Sequence, residues 1–284
     1  MNAPPTIDPQ QLRTRKSIIE LTARERVQAL LDIGTFRELL GPFERLDSPW
    51  LRMQGIVPQS DDGVVVACGK IGGINSVVIG IEGKFQGGSI GEVSGAKIAN
   101  ALDLAHEDAE HGRPVHAVLL LESGGVRLQE ANLGLEAIAE INSSLLGLRE
   151  HVPVVGVIAG MVGCFGGMAI TASLCSYLIM TRQGRLGLNG PEVIEEQSGI
   201  EEFDSRDRRL IWGVTGGEQR YATKFADYLA DDDAETVKQF ILDAFRRGIP
   251  PAHRSEQLDY YLGRLGTIDV SRQLESSDVR KLLV

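Results

Sequence analysis

Apolar positions along the chain change their period several times between residues 22 and 247, and each change marks an element. "TARERVQALLDIGTF" puts Val27, Leu30 and Leu31 on one helical face; Thr22 and Glu25 have capping-box spacing ahead of them, and Gly34 closes the helix. "GVVVACGKIGGINSVVIGI" is two β-branched runs meeting at Gly72-Gly73, which predicts a hairpin. "GGSIGEVSGAKIANALDLAHEDAEHGRP" predicts a long amphipathic helix, with Ser89 and Glu92 as its capping box. Ile90, Val93, Ile98, Ala101, Leu102 and Ala105 form its apolar face.

"VHAVLLL" reads as a buried strand and "RLQEANLGLEAIAEINSSLLGLRE" as the helix after it, with Leu128, Ala131, Leu135, Ile138, Asn142 and Leu145 on one side. "VPVVGVIAG" is a further strand, "MVGCFGGMAITASLCS" a third helix, "YLIMT" and "RLGL" short strands, and "ETVKQFILDAFRRG" a helix behind Asp233. Strand, helix and strand alternate with glycine pairs at the handovers. That alternation predicts a layered α/β core with ligands at strand-end turns. The expected organisation is a tail over 1–20, one domain over 21–250 and an extension over 251–284.

Composition narrows the partners. The 284 residues carry a formal charge of −10, so a polyanion such as nucleic acid is not the expected ligand. Three cysteines without CxxC spacing argue against a disulfide framework or a structural zinc, and no apolar run is long enough to span a membrane. A reducing cytoplasm is the expected address, with no metal.

The chemistry concentrates in "ESGGVR" and "GCFGGM". Glycine leaves backbone N–H groups uncovered, and a helix opening beside each pair would add the positive end of its dipole. Two such turns facing each other would form a socket for an oxyanion; the alternative is close helix–strand packing. Cys164 as a nucleophile lacks a histidine nearby in sequence. Ser123 as a hydrolase serine lacks a GxSxG elbow. His106, His111, His116 and His151 are candidate proton donors that the sequence does not separate. Arg127, Arg182 and Arg185 are candidates for steering a carboxylate or phosphate, and the charged run 195–209 for a loop over the site or against a partner.

"FQGGSIGEVSGAKIANALDLA", "ESGGVRLQEANLGLEAIAEI" and "GGMAITASLCSYLIMTRQGRLGLNGPEVIEE" resemble, in order and spacing, the carboxyltransferase family of acyl-CoA carboxylase subunits over about residues 22–220. The chain lacks the zinc ribbon of bacterial acetyl-CoA carboxylase β subunits. "GPEVIEEQSGIEEFDSRDRRLIWGVTGG" is similar to the β subunits of biotin-independent malonate decarboxylases. The resemblance implies an α/β crotonase-like (ClpP-like) spiral fold of layered ββα units. It implies decarboxylation of a malonyl thioester on an acyl carrier protein, whose prosthetic group is a phosphoribosyl-dephospho-CoA. It also implies that neither biotin nor metal takes part. The implied partners are a γ subunit of the same fold, the carrier and an acyl-transfer subunit.

By that matching, the backbone at Gly124, Gly125, Gly166 and Gly167 holds the thioester oxygen, with Ser123, Val126, Arg127 and Met168 beside the substrate. Val126 replaces the alanine of the family's SGGAR. Two alternatives are a biotin-dependent carboxyltransferase subunit and a scaffold that docks the carrier without catalysis.

Overall fold

The computed structural model describes residues 15–269, 271 and 275–282. Seven strands form one sheet in chain order: β1 (Arg37–Leu39), β2 (Val64–Ile71), β3 (Ile74–Ile81), β4 (His116–Leu120), β5 (Val154–Ile158), β6 (Tyr177–Thr181) and β7 (Tyr228–Ala230). The pairings β1–β2 and β2–β3 are antiparallel, and all those from β3 to β7 are parallel. The hairpin turns at Gly72 and Gly73, whose φ values of +57° and +83° suit a tight primed turn. The Asp32 carboxylate accepts both of their N–H groups.

Alternate residues of β2 and β3 feed two cores. Val64, Val66, Val77 and Ile79 face α3 (Glu92–Glu110) and α4 (Asn132–Arg149), while Val65, Ala67 and Val78 face α1 (Ala23–Leu30) and α9 (Ala234–Arg247). The Thr22–Glu25 capping box and the Asp233 cap form as expected. Between these lie α2 (Pro49–Met53), α5 (Gly167–Leu174), α6 (Pro191–Ser198), α7 (Arg208–Thr215) and α8 (Gly217–Ala222); α10 (Leu258–Leu265) and α11 (Ser276–Leu282) follow. Among the described residues no helix is long and apolar enough to cross a membrane.

Beyond the strand ends, extended segments make a second, minimal ladder. Ile90 bridges Val126, Ser123 bridges Cys164, Cys164 bridges Leu186, and Arg185 bridges Gly216. Each turn of the chain therefore supplies a sheet strand, a bridging segment and a helix, which is the layered spiral of a crotonase-like fold.

Four expectations are corrected. "RLGL" is not a strand, since its residues reach only these single bridges. Ser89 does not cap α3: Gly91 is its N-cap, and the N–H groups of Glu92 and Ser94 go to the carboxylates of Glu130 and Asp62. In α4 the buried face is Gly134, Ala137, Ile138, Ile141, Ser144, Leu145 and Leu148, while Leu128 and Leu135 are exposed. The chain breaks at Ala131, whose φ is +50° and ψ −125°, so Leu128 sits in a separate 3₁₀ turn and never joins the helical periodicity. The expected tail lies outside the described residues up to 14. From Arg15 onward the chain is attached: Ile18 is fully buried, and Asp232 accepts from Arg15, Ser17 and the Ile19 N–H.

Candidate active site

The two glycine corners meet. A Cβ on Gly166 would lie 3.0 Å from the Gly125 Cα, and one on Gly125 would lie 3.4 Å from the Gly166 Cα. Gly125 has φ +118° and Gly166 φ +60°, a backbone region that disfavours any side chain. Backbone bonds lock the approach: Ser123 N–H donates to Gly163 O and Phe165 N–H to Ser123 O, both at 2.8 Å.

The donors are not the four that the sequence suggests. Gly124 N–H is taken by Gly87 O, Gly166 N–H by Leu188 O, and Gly125 N–H by the Ser123 hydroxyl at 3.1 Å. Gly167 opens α5, so its N–H and that of Met168 belong to the unpaired first turn. Among the described residues neither they nor the Val126 N–H has an acceptor. The available donors thus flank the Gly125–Gly166 contact: Val126 on one side, Gly167 and Met168 on the other, the latter pair at a helix N-terminus where developing negative charge is favoured. No helix opens at Gly124-Gly125, because the 3₁₀ turn Leu128–Glu130 and the break at Ala131 intervene. That part of the expectation is overturned.

The side chains named with the glycines take other places. Arg127 is fully buried. Its Nη1 pairs with Asp62 at 2.7 Å and Glu130 at 2.8 Å, and its Nη2 donates to Ser89 O. It braces the corner and has no free face for a substrate carboxylate. Two carboxylates share one guanidinium, and the N-terminal amides of α3 balance the excess negative charge. Burial nevertheless pushes the Asp62 carboxyl upward, against the pull of Arg127. Met168 is buried in the core with Thr171 at its sulfur, so its backbone, not its side chain, reaches the site. Val126 is half-buried, its Cβ 3.3 Å from where a Cβ on Gly134 would stand.

The nucleophile candidates fall away. Ser123 is buried and its hydroxyl is bound within its own turn. Burial pushes the Cys164 thiol far up and that of Cys175 to about 12, so neither offers a thiolate at neutral pH. All five histidines sit at the other end of the layers. His106 and His111 are at the C-terminal end of α3, His116 starts β4, His151 precedes β5, and His253 lies beside Glu150. A five-residue strand separates the two ends by ~16 Å, so none of them reaches the corner.

Three possible ligand atoms come within 4.8 Å of one another at His106, Glu110 and His151, and again at Glu150, His253 and Glu256. Both groups also lie at that far end. Arg149 already binds Glu256 in the second group. Arg182 is tied to Glu218 and Asp231. Arg185 lies between Phe165 and Trp212 and donates to Met161 O and Val162 O, so it buttresses the second corner from behind. The charged run 195–209 is largely solvated, with Phe203 as its buried anchor.

Sequence reasoning passed over Glu122, which is 5% exposed and ion-paired to the buried Arg26. A carboxylate ending the run "LLLE" is the signal that could have found it. A groove of about 250 Å³ runs beside α5, lined by Ala169, Ile170, Ser173, Leu186, Leu188 and Phe225.

Residues 19–245 match the model of the carboxyl transferase domain family. The malonyl-S-ACP:biotin-protein carboxyltransferase of Malonomonas rubra is 45% identical over 235 residues, covering 79% of this chain and 74% of that protein. A subunit in the crystal structure of a Pseudomonas malonate decarboxylase hetero-tetramer in complex with malonate is 57% identical and superposes with a TM-score of 0.93. The alignment covers 97% of this chain and 100% of that one. A chain from a Pseudomonas malonate decarboxylase hetero-dimer is 52% identical, with a TM-score of 0.76 over 90% of this chain and 98% of its own. The chain belongs to the carboxyl transferase domain family.

Proposed function

We propose that the chain is the decarboxylating β subunit of a malonate decarboxylase. It acts on a malonyl thioester carried on an acyl carrier protein and yields the acetyl thioester and CO2. The bond from the α-carbon to the carboxylate breaks, CO2 departs, and the electron pair remains as an enolate with its charge on the thioester oxygen. Oriented N–H groups bind that oxyanion more strongly than the neutral carbonyl, so they lower the barrier selectively. The single observation carrying this reading is the Gly125–Gly166 contact, with open amides on either side of it. The histidines of this chain are at the wrong end of the layers to supply the proton that converts the enolate to the acetyl group.

A γ subunit of related fold, facing this chain, completes the site in this reading. Exposed Leu128, Leu135, Met161, Ile170 and Leu188 belong to the segments around the two corners, an apolar rim suited to cover by another protein. The assemblies seen for the Pseudomonas enzymes support such a hetero-oligomer. The carrier with its phosphoribosyl-dephospho-CoA arm and the acyl-transfer subunit follow as further partners, and the cytoplasm as the address. The groove beside α5 is the candidate path for that arm.

The second reading is carboxyl transfer to a biotin protein, favoured by the name of the 45% identical relative. One experiment decides. The chain is purified with its partner subunit, and CO2 release from malonyl carrier protein is followed with and without avidin. Avidin-insensitive release is expected. Carboxylation of an added biotin protein, with acetyl thioester formed but no CO2 released, supports the second reading, and neither release nor transfer overturns both.

A further inference from the structure

We infer that Glu122 is a positioning residue that sets the spacing between the two amide-bearing corners, and that Arg26 holds its carboxylate in place. This inference rests on the proposed decarboxylase reading for its kinetic consequence, though not for its structural one.

Glu122 directly precedes the first corner, and its Oε1 accepts the N–H of Val162, at 3.1 Å, in the loop that leads into the second. It is thus the side chain that joins the two loops ahead of their contact. Its surroundings are shaped for it. A Cβ on Gly160 would lie 1.9 Å from the carboxylate, one on Gly83 2.7 Å from its Cγ, and one on Gly88 1.9 Å from its backbone carbonyl. Three glycines from two connections, β3–α3 and β5–α5, leave the space that this one residue fills.

The charge is matched by Arg26 of α1, itself 6% exposed, which pairs with Glu122 and donates to Ile18 O and Ile19 O. The N-terminal segment and α1 are thereby fastened to the floor of the site. A buried carboxylate at this position is costly unless paired. A leucine would pack at similar volume but could not accept the Val162 N–H. The residue therefore has a role beyond filling space, and that role lies in the register of the 160–168 segment, where the Gly167 and Met168 donors reside.

Two double variants separate positioning from packing, since each removes the buried charges together: R26M/E122Q keeps an acceptor for Val162, and R26M/E122L does not. Both are assembled with the partner subunit. The leucine variant is expected to turn over at least ~10-fold more slowly than the glutamine variant, with KM for malonyl carrier protein within about threefold. Its 160–168 amides should also exchange hydrogen at least ~10-fold faster. Equal kcat and equal exchange in the two variants overturn the inference.

If the leucine variant does not fold, Gly160→Ala, which must push the carboxylate off Val162, is measured in the native background. Unchanged kcat and unchanged exchange there overturn it as well. Hydrogen exchange is read without any activity, so a failure of the decarboxylase reading leaves this test intact.

Discussion

The two corners that meet at Gly125 and Gly166 look alike in sequence and are built differently. The first, Ser123–Arg127, spends its Gly124 and Gly125 amides on its own neighbourhood and is clamped at both ends by buried charge, Glu122–Arg26 before it and Arg127–Asp62–Glu130 after it. The second, Cys164–Met168, runs straight into α5 and, among the described residues, leaves the first-turn amides of Gly167 and Met168 without acceptors. One corner is a braced wall that, among the described residues, keeps the Val126 donor open; the other is a helix terminus whose donors are open by construction. A site for a developing oxyanion needs both, because donors that have to reorganise during the reaction contribute little.

The largest expected effect comes from filling the contact. Gly166→Val places a branched side chain against the Gly125 Cα at a backbone angle that resists it. kcat for CO2 release should fall by ~10²–10³, about the loss of one oxyanion donor, while the folded chain still assembles with its partner. Next is the clamp. Arg127→Met leaves Asp62 and Glu130 buried without their cation, and urea unfolding should show a loss of roughly 3–5 kcal/mol. If Arg127 instead steered the substrate, KM would rise and stability would hold.

Ser123→Ala removes the acceptor of the Gly125 N–H. It should lower stability by ~1–3 kcal/mol and kcat by less than about tenfold, where loss of a true nucleophile costs ~10⁴ or more. The smallest effect tests the claim that no helix grows from the first corner. Ala131 stands at the break with φ +50°, and Ala131→Gly should raise stability by about 1 kcal/mol, seen as a higher midpoint in the same urea titration.

Local signals in the sequence were reliable where the structure they specify is local. The Gly72-Gly73 turn, the Thr22–Glu25 box and the Asp233 cap each depend on neighbours within a few residues, and each forms. The two glycine pairs also come together, as their placement at strand-to-helix handovers suggests. What could not be read was which amides remain open, because Gly87 O and Leu188 O, far away in sequence, consume two of the four.

The same limit explains the other misses. Ser89 and Glu92 have the spacing of a cap, yet Glu130 and Asp62 arrive from other loops and outcompete it. Arg127 looks like a ligand-steering cation until its two carboxylate partners, one 65 residues away, come into place. Leu128 and Leu135 fit a helical stripe only if the helix starts before Ala131. In each case a tertiary contact decided what local pattern left open.

In the proposed reaction, open main-chain donors on the two corners hold the thioester oxygen as it becomes negative. A crystal structure of the assembled complex with a non-reactive malonyl thioester analogue tests this most directly. The oxygen is predicted to lie about 2.7–3.1 Å from the backbone nitrogen of Val126 and from that of Gly167 or Met168. An oxygen held by side chains, or more than about 3.5 Å from all three nitrogens, would contradict it.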